Sequence, residues 1–168
     1  MKRNINFLML FFGLAIIFVS CANPNKKPDE KTVTDIKSLF RKGIEGFNNR
    51  TPEQLEQCFP SKFIIHEGSD RDSSEVTARS FYDNNLATYP DFKFTIVDMI
   101  VEGNKIAARI IFEGTNKTLS KKIRIIDHWI GKVENGKFVE VWELVDEISE
   151  LKQLGYTITS PQNPEEKK

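Results

Sequence analysis

Two dipeptides, Gly103-Asn104 and Asn135-Gly136, together with the polar stretch around Asn116, divide the second half of the chain into four long apolar runs. Residues 92–102, 105–114, 119–133 and 138–146 are rich in Ile, Val and Phe and read as strands. Asn-Gly is the strongest short hairpin signal, because both residues tolerate the positive φ that a tight turn needs. The four runs therefore predict an antiparallel meander. An extended chain of this kind must cover one of its faces, and the preceding segment supplies the cover.

Val33, Ile36, Leu39, Phe40, Ile44 and Phe47 recur at helical spacing, with Thr32 and Asp35 as a capping pair before them. Thr51-Pro52-Glu53-Gln54 is a second helix start, with Thr51 as N-cap and Gln54 spaced for a capping box, and that helix stops before Pro60. Phe63 to His66 reads as a brief strand, and Gly68 to Ser74 as a polar loop. Phe81, Tyr82, Asn85, Leu86 and Tyr89 stripe a third helix ended by Pro90, and Ile148, Leu151 and Leu154 mark a short closing helix. Helices first and an antiparallel meander after them give an α+β layer, with N-terminal helices packed against a curved, mainly antiparallel sheet.

The first twenty residues stand apart. Lys2 and Arg3 precede an apolar run of thirteen residues, Phe7 to Val19, too short to span a bilayer comfortably. This reads as a signal peptide over 1–20. Its end, Phe18-Val19-Ser20-Cys21, resembles a bacterial lipobox, which implies acylation of Cys21, a membrane partner held through that lipid anchor, and a place in the bacterial cell envelope. Residues 21–31 then form a polar tether, 32–159 the domain, and 160–168 a polar tail.

Charge and cysteine content exclude several functions. Lys plus Arg and Asp plus Glu each number 24, without a basic stripe interleaved with aromatics, so nucleic acid is not an expected partner. With Cys21 consumed by lipid, Cys58 has no disulfide partner and reads as a core residue. Two histidines, His66 and His128, and no ligand-spaced cluster leave no metal site to expect.

Glu143 is the residue that asks for chemistry. In Val139, Val141, Glu143 and Val145, strand alternation puts a carboxylate on a face with three valines. Such a group is either part of a site or one half of a salt bridge.

The runs YPDFKFTIVDMIVEGNKIAARIIFEGT (89–115) and ENGKFVEVWELVDEISELKQLG (134–155) resemble the SnoaL-like polyketide cyclase family. The resemblance covers about two thirds of the chain after Ser20. It implies the cone of the nuclear-transport-factor-2-like superfamily, in which helices and a curved sheet enclose an apolar pocket for a small hydrophobic molecule, with no cofactor. It also places Glu143 at the family's acid/base position and Asp146 at a second acid. Desolvated among valines, Glu143 would exchange a proton at carbon next to a carbonyl.

Four further residues are candidates for the pocket. Arg109, on a face with Ala107 and Ile111, either orients a polar group of a ligand or neutralises a carboxylate such as Glu143. His66 resembles a histidine at the pocket mouth or is a satisfied strand-end histidine. Tyr82 adds an aromatic wall, and Trp129, where the cyclases hold a polar residue, fills space. Residues 116–122 make a shorter and more basic rim than the cyclases carry. Three functions follow as alternatives: cofactor-free proton transfer, ligand binding without turnover, or protein interaction through an outer face where Trp142 and Leu144 form a patch or the seam of a homodimer.

Overall fold

The computed structural model describes residues 29–68 and 73–159. The apolar run at 7–19, Cys21 and the tail at 160–168 lie outside them. No described helix is long and apolar enough to cross a membrane.

The chain runs α1 (Glu30–Asn48), α2 (Pro52–Cys58), β1 (Phe63–Glu67), β2 (Ser73–Val76), α3 (Ala78–Thr88), β3 (Lys93–Glu102), β4 (Lys105–Thr115), β5 (Lys122–Glu134), β6 (Lys137–Val145) and α4 (Glu147–Gln153). The strands make one open sheet in the order β2-β1-β6-β5-β4-β3. β3 to β6 are the expected meander, while β1 joins β6 in parallel and carries β2 antiparallel on its edge. Asn135 and Gly136 both have positive φ, 50° and 73°, as an Asn-Gly hairpin requires.

The helix starts differ from expectation in detail. Asp29, one capping period earlier than Thr32 and Asp35, caps α1 by accepting from the Thr32 N–H at 2.7 Å. Helix α1 thus starts within residues 21–31. Thr51 makes no side-chain cap to α2, and Gln54 donates to the Lys42 carbonyl of α1 instead, tying the two helices together. They approach closely because Gly46 has no side chain: a Cβ there would lie 3.1 Å from the Leu55 amide nitrogen. Ser73 and Ser74, expected in a loop, belong to β2, whose polar edge sequence SSEV shows no alternation from which a strand could be read.

Helices cover one face of the sheet with an aromatic core. Phe47 of α1 sits at its centre, within 6.2 Å, centroid to centroid, of Phe81, Tyr82, Phe92, Phe94 and Trp129. Cys58 is fully buried beside Leu55, as expected of a core thiol. Between Phe40, Phe47, Trp129, Phe138 and Val141 this packing leaves a space of about 20 Å³, the size of a single water.

Candidate active site: two carboxyls on one indole

β5 and β6 carry the site. Trp129 pairs with Glu143 and Asp127 with Val145 across the two strands, and alternation turns Asp127, Trp129, Val141 and Glu143 toward the helices. The expected row of valines breaks at Val139. Lys132 pairs with Glu140 but Val133 with Phe138, so Val139 is the extra residue of a bulge. Phe138 takes the buried place, its ring lying over Gly131, where a Cβ would come within 2.8 Å of it.

The indole N–H of Trp129 donates to both carboxyls, at 2.7 Å to Asp127 Oδ2 and 3.0 Å to Glu143 Oε1. Phe40, Phe47, Phe81 and Phe94 surround the indole at 5.5–6.2 Å, so its N–H has one direction available. Asp127 is 2% exposed, and its second oxygen, Oδ1, has no partner among the described residues. Glu143 keeps partial contact with solvent.

Burial pushes the Glu143 carboxyl well above the usual carboxylate range, and the negative charge of Asp127 and a hydrogen bond shared with it push further. The Trp129 N–H opposes the rise. Glu67, which pairs with Glu143 in the parallel register, adds a weaker repulsion. Asp127 is also raised by burial, held back by its hydrogen bonds to Glu143 and Trp129 and by His128. Two carboxyls that accept from one N–H compete for ionisation, and burial together with the Asp127 charge favours the protonated form of Glu143. No ion pair among the described residues involves either group.

The other candidates are not gathered here. Arg109 lies on the opposite face of the sheet, exposed, with Nη2 2.6 Å from Asp98 Oδ2, so it neutralises neither Glu143 nor Asp127. His66 also faces outward, its ring stacked on Trp142 at 5.0 Å and its Nε2 2.9 Å from Glu140 Oε1. Asp146 is the N-cap of α4, accepting from the Ser149 N–H at 3.1 Å, and those hydrogen bonds hold its carboxyl below the usual range. Tyr82 is buried against Phe47 and Phe92, one ring removed from Trp129. Trp129 is buried among the aromatic rings and donates to both acids.

Asp127 was not singled out from the sequence, although the signal existed. Ile123, Ile125, Asp127 and Trp129 alternate as Val141, Glu143 and Val145 do, with a carboxylate on an apolar face. Among the described residues, no group of His, Cys, Asp and Glu is placed to hold a metal ion.

Residues 37–154 match the family model described as SnoaL-like polyketide cyclase. A SnoaL-like polyketide cyclase of Agrobacterium tumefaciens superposes with a TM-score of 0.59 at 17% identity, over 71% of this chain and 98% of that one. TsrD of Streptomyces laurentii gives 0.64 at 21% identity, over 76% and 98%. An LEH-like epoxide hydrolase of Mycobacterium tuberculosis gives 0.60 at 10% identity, over 73% and 90%. No curated protein sequence matches the chain.

Proposed function

The chain belongs to the SnoaL-like polyketide cyclase family, and from that premise we propose that it catalyses proton transfer at carbon beside a carbonyl, in a cyclase- or isomerase-like reaction on a small hydrophobic molecule. One observation carries this reading: Glu143 and Asp127 share the Trp129 N–H inside an apolar wall. Glu143, the more accessible of the two, meets the substrate. As its own proton passes to Asp127, it accepts the proton from the carbon; the C–H electrons move into the enolate, and the reverse movement returns a proton to carbon or oxygen. General acid/base help of this kind is worth roughly a hundred- to ten-thousandfold in rate.

A substrate larger than a water enters the core only by displacing part of the ring wall around Trp129, so binding should change the Trp129 fluorescence. The test is deuterium incorporation into a panel of ketones and β-keto esters in heavy water, alongside NMR titration of the Glu143 carboxyl. Exchange that disappears in Glu143→Gln supports the proposal. No exchange together with a Glu143 pKa near the ordinary value of about 4.3 would sink it. Ligand-dependent fluorescence without exchange would move the function to binding alone.

We also propose that the chain works from a membrane of the bacterial envelope, anchored through acylated Cys21; the basic start, the short apolar run and the Val-Ser-Cys sequence support this. Cells fed a radiolabelled fatty acid should label the wild-type chain. Equal labelling of Cys21→Ala would remove the anchor.

A further inference from the structure

A third carboxyl, Glu67, stands at the open end of the acid pair. In the parallel register it pairs with Glu143 as Ile65 pairs with Val141, and Ile65 and Val141 are both buried under the helices, so Glu67 and Glu143 share that inner face. Glu67 is exposed, Glu143 half-buried and Asp127 buried. The three acids lead from solvent into the core.

No positive charge answers them from within the fold. On β1, β4, β5 and β6 the residues facing the helices include no lysine or arginine, and the buried residues of α1, α2 and α3 carry no charge. Neither Glu67 nor the acid pair takes part in an ion pair among the described residues. Asp127 adds a buried acceptor, Oδ1, that no donor among the described residues reaches, and such an atom is costly until a donor meets it. Aromatic faces line the same approach. Of the four phenylalanines around the Trp129 indole, Phe40, Phe47 and Phe94 are buried, while Phe81, 5.9 Å from the indole, is only partly so. Rings with negative faces beside carboxylates are the surroundings that suit an ammonium group leaving water.

We infer that the substrate of this site is an amine-bearing carbonyl compound, its nitrogen protonated, and that Glu67 is the residue that selects it. The inference rests on the proton-transfer reading above and narrows its substrate class. An ammonium beside Glu143 favours the carboxylate form, which is the form that accepts a proton from carbon. The proton it displaces passes to Asp127, and the C–H electron pair moves into the enolate. A substrate bearing a carboxylate or a phosphate meets only acceptors and negative charge along the same path, and is turned away.

Binding and turnover test it separately. In a Trp142→Phe background Trp129 is the sole tryptophan, and its fluorescence follows the titration of three matched ketones. One carries a dimethylammonio group three methylenes from the carbonyl, the second is its hydrocarbon isostere with CH in place of NH⁺, and the third carries a carboxylate. The ammonio ketone should bind about tenfold or more tightly than the isostere, as a charge-assisted hydrogen bond allows, and the carboxylate most weakly. Glu67→Gln should shrink the first ratio to about threefold or less, and Glu67→Lys should reverse the order of the two charged ketones. An ammonio ketone that binds no better than the isostere, or a preference for it that survives Glu67→Lys, overturns the inference. Deuterium exchange into the same ketones reports on the proton-transfer reading instead. Exchange of the isostere as fast as the ammonio ketone, lost in Glu143→Gln, would leave that reading standing and overturn the charge selection. Glu67-dependent binding of the ammonio ketone without exchange would keep the selection and remove the chemistry.

Discussion

Glu143 and Asp127 sit on neighbouring strands and accept from the same hydrogen, the N–H of Trp129. The apolar wall raises the proton affinity of both, and Asp127 raises that of Glu143 further, while the hydrogen bond to Glu143 holds Asp127 back. Burial and the neighbouring charge therefore favour the protonated form of Glu143 more than solvent does for an exposed glutamate.

This preference has a thermodynamic signature. The folded pKa of Glu143 lies above its unfolded value, so its contribution to stability is fully present below about pH 4.3 and is lost as pH rises to the folded value. Within that window the wild type should lose up to about 1.4 kcal/mol per pH unit from this group. Glu143→Gln keeps the shape of the neutral acid and should show a flatter dependence in urea unfolding across the pH series. Parallel curves for the two proteins would mean that Glu143 titrates normally.

Trp129→Phe removes the shared donor and keeps most of the ring packing. Because the N–H favours the ionised form of both acids, the Glu143 carboxyl should titrate higher in the variant, and proton exchange with substrate should slow. The lost hydrogen bonds should cost about 1–3 kcal/mol. Carboxyl carbon NMR separates this from simple loss of packing, which would leave the titration where it was.

Much of this was legible before the fold was known, and the misses share a physical cause. Asn135-Gly136 and Gly103-Asn104 marked their hairpins because a turn with positive φ accepts few residues. Arg109 could not be assigned to a face, because β4 is apolar on both: Ile106, Ala108, Ile110 and Phe112 point to the core, while Ala107 and Ile111 point outward with Arg109. Period two says which residues share a face and is silent about which face is buried. The same two-sided apolar pattern masked Asp127, which lies among isoleucines on both sides of β5. The bulge at Val139 depends on pairing with β5 and has no signature in β6 alone.

Arg50 closes the end of α1 in a way that lysine cannot copy. It takes a left-handed backbone, φ 59°, and its guanidinium donates to the carbonyls of Phe47 at 2.8 Å, Phe92 at 2.7 Å and Pro90 at 3.1 Å while lying 4.0 Å from the centre of the Phe92 ring. A planar fork serves three acceptors and an aromatic face together; an ammonium serves fewer. Arg50→Lys should therefore destabilise the fold by about 1.5–3 kcal/mol in chemical denaturation. A cost no larger than that of an exposed salt bridge would show that the clamp is replaceable.

The short helix α4 buries no residue of its own, and its docking rests on a few polar ties. Gln153 exchanges hydrogen bonds with the backbone of Arg124, Lys121 donates to the Leu154 carbonyl, and the Tyr89 hydroxyl donates to Glu150. Burial and the Glu150 carboxylate raise the Tyr89 hydroxyl to about 12. Its stabilising contribution is thus complete below pH 10, the ordinary tyrosine value, and disappears as pH climbs from 10 toward 12. Amide hydrogen exchange at Leu154 and Gly155 should rise across that interval more steeply than base catalysis alone predicts. In Tyr89→Phe the exchange should already be faster at neutral pH, by roughly fivefold to tenfold for one lost hydrogen bond of about 1–1.5 kcal/mol, and the alkaline step should vanish. An alkaline step that persists in the phenylalanine variant would sink the assignment to Tyr89.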